Sequence, residues 1–241
     1  MRIFYVFVVQ LFVFFACPAI AQNQPAEEDV KTGDLRLFQN NYPEAVAAYN
    51  KAIERDSRLW KAYFGRGEAY TKLGDHTRAI NDYTRVIALS PKHTETYYRR
   101  AALYMERNEF AKAADDYSMA VALDSNYAKA YMQRGIAYHS LQQYMEAVND
   151  FSKAIAIDYY LSDAYYHRGV SNLSLHKPKD AVADFSLAIQ ILPGAAHYYK
   201  ERGMTYYMLG DWKLAEADMN KAMELDAELS SSVEAIKKMF R

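Results

Sequence analysis

Apolar and small side chains recur at three- and four-residue steps along most of the chain. In one stretch these positions are Tyr63, Gly67, Tyr70, Ala79, Tyr83 and Val86. This spacing is the period of an amphipathic α-helix with one apolar face. Gly74-Asp75 separates the two groups, and glycine tolerates the left-handed conformation that ends a helix. The pattern therefore predicts two amphipathic helices joined by a tight turn.

The two-helix pattern repeats every 34 residues. One column of the repeat is Gly33, Gly67, Ala101, Gly135, Gly169 and Gly203. A second column is Ala45, Ala79, Ala113, Ala147, Ala181 and Ala215, and a third is Tyr49, Tyr83, Tyr117, Phe151, Phe185 and Met219. Self-similarity at a fixed period is the mark of a stacked repeat array. The predicted repeats, 1 to 6, are 26–59, 60–93, 94–127, 128–161, 162–195 and 196–229.

The repeat unit resembles the tetratricopeptide repeat (TPR) family. The residues that carry the resemblance are Tyr63, Gly67, Tyr70, Ala79, Tyr83, Val86 and Pro91. The resemblance implies an all-α, right-handed solenoid whose concave groove is lined by the first helix of each repeat. Repeat 1 departs from the pattern at Asp29 and Arg36, which replace aromatic residues, and repeat 5 departs at Asn172, which replaces tyrosine.

The two ends of the chain differ from the repeats. Residues 230–241 continue the apolar rhythm and are expected to form a capping helix with a polar outer face. The first 21 residues have one charge, a long apolar run and an A-x-A site at Ala19 and Ala21, which is the layout of a secretory signal. Residues 22–25 would link this signal to the repeats.

We expect cleavage after Ala21 and a periplasmic or secreted mature protein without cysteine or a membrane span. An uncleaved membrane anchor and lipidation at Cys17 are the two alternatives. Sequencing of the mature N-terminus would distinguish the three.

Composition mainly excludes classes of function. Hydrophobic residues make up 51% of the 241 residues and charged residues 24%, which is typical of a folded protein. A net charge of −1 supplies no basic field for phosphate groups, so we expect no nucleic-acid partner. The sequence contains no G-x-G-x-x-G, G-x-x-x-x-G-K-[ST], H-E-x-x-H or G-x-S-x-G motif. We therefore expect a non-catalytic protein with no cofactor and no metal.

Charged residues form two further columns, present in repeats 2 to 6. The arginines are Arg66, Arg100, Arg134, Arg168 and Arg202, and the aspartates are Asp82, Asp116, Asp150, Asp184 and Asp218. Repeat 1 lacks both, having Thr32 and Ala48 in their places. Because the two columns occur together, we predict an arginine–aspartate pair within each repeat. A stripe of arginines that binds anions is the alternative.

Most of the 22 tyrosines also fall in columns and are predicted to pack between helices. The first helices carry other apolar residues outside these packing columns, and such positions face the groove in proteins of this family. The predicted groove residues are Phe38, Phe64, Tyr98, Ala102, Met105, Met132, Ile136, His139, Tyr166, Val170, Leu173, Met204 and Tyr207. Methionine adapts to varied partners and tyrosine anchors them, so this set favours protein binding.

Three narrower kinds of site are alternatives to a general protein-binding groove. The Lys and Asn clamp with which some family members hold a carboxylate is missing, since Glu68 stands where an amide is needed. His139, His167 and His197 lie on successive first helices, so a metal or pH-sensitive site is an alternative. Trp60 and Trp212 lie at helix beginnings, which disfavours a glycan-binding platform.

We therefore expect a scaffold that holds a peptide or a partner protein in its groove, in the assembly of an envelope complex. The alternative is a self-associating structural module whose groove is buried in a homo-oligomer.

Overall fold

The computed structural model describes residues 18–239, with their side chains from residue 25 onward. This part of the chain is all α-helical and contains no strand. The helices are α1 (Pro18–Phe38), α2 (Tyr42–Arg55), α3 (Trp60–Lys72), α4 (His76–Leu89), α5 (Thr94–Glu106), α6 (Phe110–Leu123), α7 (Ala128–Ser140), α8 (Tyr144–Ile157), α9 (Ser162–Ser174), α10 (Pro178–Ile191), α11 (Ala196–Leu209), α12 (Trp212–Leu225) and α13 (Ser230–Met239). A short 3-10 helix, Ala227–Leu229, precedes α13.

The chain divides into two compact units, which meet in sequence at Pro91 and Lys92. Unit 1 contains α1 to α4, and unit 2 contains α5 to α13. Within each unit, every helix packs against the next one along the chain. From repeat 2 onward the first helices begin at 34-residue intervals, at Trp60, Thr94, Ala128, Ser162 and Ala196. The predicted all-α architecture of paired helices packed in series is confirmed.

A left-handed residue ends the first helix of each repeat. Glycine supplies it at Gly74 and Gly210, with φ values of 75° and 85°. The other repeats use Asn40, Asn108, Gln142 and His176, with φ between 58° and 62°. Asparagine and histidine visit this region more readily than most residues, whereas glutamine needs support from the surrounding turn. The predicted turn therefore has one geometry but four different residues.

The core of each helix pair in repeats 1 to 5 combines one aromatic side chain with small residues, and Met219 replaces the aromatic residue in repeat 6. All six alanines of the second predicted column have no exposed surface, and the aromatic column below them is equally buried. The first helix approaches this aromatic residue closely. A methyl group at Gly135, for example, would lie 2.8 Å from a ring carbon of Phe151. The small columns are therefore required by the close approach of the two helices.

The ends of the described chain extend the repeats. Helix α1 begins at Pro18, so residues 22–25, expected to be a linker, are helical and continuous with repeat 1. Most of the predicted signal peptide lies outside the described residues. At the other end, Val233 of α13 is fully buried in a cluster with Ala215 and Met219 of α12. Helix α13 thus covers repeat 6, and residues 240 and 241 of the expected capping helix lie outside the described residues.

A bilayer-spanning helix would have to be both long and strongly apolar, and between residues 18 and 239 none is.

Candidate functional site

The arginines of repeats 2 to 6 each pair with the aspartate of their own repeat. In repeat 4, Arg134 Nε donates to Asp150 Oδ2 at 2.7 Å and Nη2 donates to Oδ1 at 2.7 Å. The same two-pronged pairing links Arg66 to Asp82, Arg100 to Asp116, Arg168 to Asp184 and Arg202 to Asp218. The prediction of structural pairing is confirmed, and these guanidinium groups are not a free stripe for anions.

The third nitrogen of the guanidinium reaches the preceding repeat. Arg134 Nη1 donates to Ser118 Oγ at 3.0 Å, and Arg202 Nη1 donates to Ser186 Oγ at the same distance. Arg168 bonds in this way to Ser152, and Arg66 bonds to Asn50. We call the arginines, their aspartates and these Ser and Asn residues the arginine ladder.

The sequence interpretation missed this link between repeats. Its signal was a column of short polar residues that stand 16 positions before the arginines. The arginine side chains are mostly buried; that of Arg134 is 16% exposed and that of Asp150 7%. The hydrogen bonds that Arg134 donates to Asp150 raise the pKa of Arg134 above its usual range. Each guanidinium therefore has a carboxylate of its own chain as hydrogen-bond partner, which makes the ladder structural rather than a site for a ligand.

The predicted groove residues of unit 2 lie on a different part of the first helices. Because they are spaced by three or four residues within each helix, they share a helix face. We define the first-helix surface of unit 2 by the members that are partly exposed: Tyr98, Ala102 and Met105 of α5, Met132, Ile136 and His139 of α7, Tyr166, Val170 and Leu173 of α9, and Met204 of α11.

Tyr207 does not belong to this surface, contrary to the prediction. Its side chain is only 6% exposed and packs in the cluster of Val233 and Met219, and its ring lies 5.7 Å from that of Trp212. The physical reason is helix α13, which covers the end of repeat 6. Met204 also packs against this cluster but remains partly exposed.

The two remaining predicted groove residues belong to unit 1. Phe38, at the end of α1, is 84% exposed. Phe64 in α3 is half-buried, with its ring 5.9 Å from that of Tyr83. These two residues are therefore accessible, wholly or in part, on their own unit.

Side chains connect the successive first helices of unit 2. Tyr127, just before α7, donates to Glu95 of α5 at 2.7 Å. One nitrogen of His139 lies 2.9 Å from the hydroxyl of Ser171 in α9. Tyr198 of α11 donates to Asp163 of α9 at 2.6 Å. The first-helix surface of unit 2 is therefore a continuous surface that spans four repeats.

Its two tyrosines are partly buried rather than fully available. The ring of Tyr166 lies 5.0 Å from that of His197 and 5.3 Å from that of Tyr198. Burial raises the pKa of Tyr166 to about 12. Tyr98 stacks on Tyr127 at 5.0 Å, and burial also raises its pKa. Each ring therefore offers only part of its surface to a partner and is held in place by its neighbours.

The three histidines pack against aromatic rings of the same helices and their neighbours. His167 stacks on Phe151 at 5.8 Å and contacts the edge of Tyr166 at 5.0 Å. Burial lowers the pKa of both His139 and His167, which favours their neutral forms. Across residues 18–239, no three His, Cys, Asp or Glu side chains are placed to hold a metal ion. The metal alternative for these histidines therefore has no support.

Comparison with known proteins agrees with the repeat geometry. Two models described as tetratricopeptide repeat match residues 30–94 and 128–158, and one described as TPR repeat matches residues 103–142. Together they cover about half of the chain. The Hsp70-Hsp90 organizing protein of Triticum aestivum is 41% identical over 49 residues, which are 20% of this chain and 8% of that protein. The chain thus spans less than a tenth of the length of this relative.

Solved structures extend the likeness over most of the chain. The crystal structure of MamA is 27% identical with a TM-score of 0.66, and the match covers 68% of this chain and 96% of MamA. YrrB, described as a TPR protein with an unusual peptide-binding site, is 19% identical with a TM-score of 0.69. Its match covers 79% of this chain and 98% of YrrB, and at this identity it shows the fold alone. With its helix pairs at 34-residue intervals and these matches, the chain belongs to the tetratricopeptide repeat family.

Proposed function

We propose that the first-helix surface of unit 2 binds a peptide segment of a partner protein. The family and fold are typical of non-catalytic protein-interaction modules, which supports a scaffold rather than an enzyme. The observation that carries the proposal is a difference in burial. The glycine, alanine and large-residue columns between the paired helices of unit 2 are buried, whereas the apolar residues of this surface stay partly exposed on four successive first helices. Apolar surface that folding leaves uncovered is typical of an interaction site.

The composition of the surface favours a polypeptide over a charged ligand. Apolar side chains such as Met132, Ile136 and Leu173 predominate, and His139 and His167 favour their neutral forms. Methionine side chains adapt to differently shaped partners, and tyrosines held by their neighbours lose little entropy on binding. YrrB, with its peptide-binding site, offers a precedent on the same fold.

Substitution of charge into this surface tests the proposal. Ile136→Glu and Val170→Glu should abolish capture of the partner by the immobilised protein. Ala122→Glu and Ala156→Glu place the same charge at exposed positions of the second helices and serve as matched controls. Proteins crosslinked in native cells would be identified by mass spectrometry for all four variants. Partners retained equally by the surface variants and the controls would refute the proposal.

Light scattering on the same variants distinguishes a foreign partner from self-association. The proposal expects the same monomeric mass for the parent protein, the surface variants and the controls. A parent oligomer that dissociates only in the surface variants would overturn it in favour of a surface buried between copies of the chain.

We also propose that the protein is exported and acts as a scaffold for an envelope complex. The support is the predicted signal at residues 1–21. Sequencing of the mature protein should find Gln22 as the first residue. A mature protein that begins at Met1, or one found in the cytoplasmic fraction, would contradict export.

A further inference from the structure

In three repeats the arginine of the ladder is flanked by two tyrosine rings. The guanidinium carbon of Arg134 lies 5.4 Å from the ring centre of Tyr131 and 5.6 Å from that of Tyr138. Arg66 in repeat 2 and Arg202 in repeat 6 have the same two neighbours, at distances between 5.5 and 5.9 Å. At these distances the rings attract the cation through their π faces.

Repeat 5 has only the first of these rings. Arg168 lies 5.5 Å from the ring of Tyr165, but Asn172 occupies the position of the second tyrosine. The amide of Asn172 donates to Asp184 at 3.0 Å and is itself buried. One side of the Arg168 guanidinium therefore lacks the ring that its counterparts have.

A hollow of about 370 Å³ lies at this point. It is lined by Arg168, Asn172, Lys177 and Asp180, with Val148 and Ser152 of α8. A volume of this size is within the range of small-ligand pockets, and it exceeds the volume of one aromatic side chain.

The repeat register places the hollow where the missing ring would lie. Asp180 stands at the position of Arg78 in repeat 2 and of Lys112 in repeat 3. Arg78 lies 4.3 Å from the ring of Tyr70, and Lys112 lies 5.5 Å from the ring of Tyr104. In repeats 2 and 3 the residue at the position of Asp180 thus lies beside the tyrosine that Asn172 replaces.

The hydrogen bonds of Arg168 determine what the hollow can hold. Nη2 donates to Asp184 at 2.6 Å and Nη1 donates to Ser152 at 3.0 Å, so the charge is paired along the edge of the guanidinium. An anion would compete with the Asp184 carboxylate and gain little. In repeat 5 no second ring covers the flat face of the Arg168 guanidinium. Flat faces of arginine stack on aromatic rings.

We propose that this hollow binds an aromatic side chain of a partner polypeptide, which takes the place of the absent repeat tyrosine. The partner ring stacks on Arg168, and its phenol or indole group donates a hydrogen bond to the Asp180 carboxylate. Tyrosine and tryptophan therefore bind better than phenylalanine. The site is separate from the first-helix surface, because Arg168 and Asn172 lie on another face of α9 from Tyr166 and Val170.

The first experiment uses the full chain and the end-blocked pentapeptide Gly-Gly-Tyr-Gly-Gly. NMR titration should show saturable shifts at Arg168 and Asn172 with a Kd on the order of 1 mM, as expected for a single ring. The peptide Gly-Gly-Leu-Gly-Gly is the matched control. Equal shifts with the leucine peptide, or none with the tyrosine peptide, would overturn the proposal.

Two variants of repeat 5 identify the site. Asn172→Tyr supplies the missing ring from the chain itself, so it should raise the melting temperature by about 2–4 °C and abolish peptide binding. Arg168→Lys keeps the charge but removes the flat face, and should weaken binding about tenfold. Because Arg168→Lys is measured independently, the test stays decisive where Asn172→Tyr does not fold. Unchanged binding in either folded variant would disprove the site.

A gain of binding provides the opposite test. Tyr138→Asn reproduces the arrangement of repeat 5 beside Arg134 in repeat 4, and the number of peptides bound should rise from one to two. Failure of the folded variant to bind a second peptide would contradict the role of the missing ring.

A titration with free p-cresol completes the test. Binding of p-cresol without binding of the pentapeptide would show that the hollow excludes a ring carried on a chain, which overturns the assignment.

Discussion

The arginines of the ladder and the first-helix surface of unit 2 lie on the same helices, but the ladder and the surface differ in how their residues vary from repeat to repeat. On the ladder, the repeats of unit 2 have the same arginine and aspartate, joined at nearly the same distances. On the first-helix surface, one column of the 34-residue repeat consists of Ala102, Ile136, Val170 and Met204. The residues are the same in each repeat where their hydrogen-bond partners lie within the chain. They vary between repeats where the surface remains partly exposed.

The largest effect is expected where a ladder pair loses one charge. Asp116→Ala leaves the Arg100 guanidinium mostly buried without its carboxylate, and should lower the free energy of unfolding by about 3 kcal/mol. Asp115→Ala, one residue away on the exposed face of α6, is the control and should change it by less than about 0.5 kcal/mol. Urea denaturation measures both. Similar values for the two variants would remove the energetic distinction between ladder and surface.

A matched pair of valines compares a buried packing position with the first-helix surface. Val86 is fully buried, so Val86→Thr should cost about 1–2 kcal/mol for the hydroxyl group that it buries. Val170 is half-buried on the first-helix surface, and Val170→Thr should cost less than about 0.5 kcal/mol. Thermal unfolding of the two variants provides the comparison. A larger loss for Val170→Thr would show that the surface is part of the core.

A smaller loss is expected when the link between repeats is cut. Ser118→Ala removes the acceptor of Arg134 Nη1 and should cost about 1 kcal/mol. Ser140→Ala is the control. Both serines donate to a carbonyl four residues earlier, but Ser140 lies on the exposed surface. If chemical denaturation gives the two variants equal stability, the bond to the preceding repeat contributes nothing measurable.

The last prediction has no effect at neutral pH. The pKa of Tyr166 and that of Tyr198 are each raised to about 12, first by burial, and for Tyr198 also by its bond to Asp163. Between about pH 10 and pH 12 the unfolded chain releases these protons before the folded one does, so the stability falls as the pH rises through this window. Below pH 10 these two groups cause no change. Phenolate absorbance should reveal a late-titrating class of tyrosines, and the Tyr166→Phe variant should have one fewer.

Much of the fold was predictable because residues that contact each other within a repeat are separated by the same number of positions in every repeat. The 34-residue register located the helix pairs, the buried alanine column and the Arg134–Asp150 pairing, since each contact joins residues at a fixed offset. The burial of Tyr207 could not be predicted in this way. It depends on where the single helix α13 packs, and that helix has no second copy in the sequence to compare with.

Two other features were visible in the sequence but needed coordinates to be interpreted. Asn172 stood out as a departure from the family pattern, but only the structure places it beside a hollow and the uncovered side of Arg168. The column of Ser118 and its counterparts is present in the sequence, but nothing in the sequence shows which residue it contacts. The link became recognisable when Arg134 was found to reach the preceding repeat.

The arginine ladder also has a direction. Arg66, Arg134, Arg168 and Arg202 each reach from their own repeat to a serine or asparagine of the repeat before it, as Arg202 reaches Ser186. Removing a repeat from the amino-terminal side would take an acceptor from a buried guanidinium, whereas trimming from the carboxyl-terminal side leaves only a hydroxyl or amide for water to solvate. Synthesis on the ribosome runs from the amino terminus to the carboxyl terminus, so an incomplete chain lacks carboxyl-terminal repeats and leaves no buried guanidinium without its acceptor. Within a unit, every newly emerged repeat supplies its own arginine to an acceptor that is already in place.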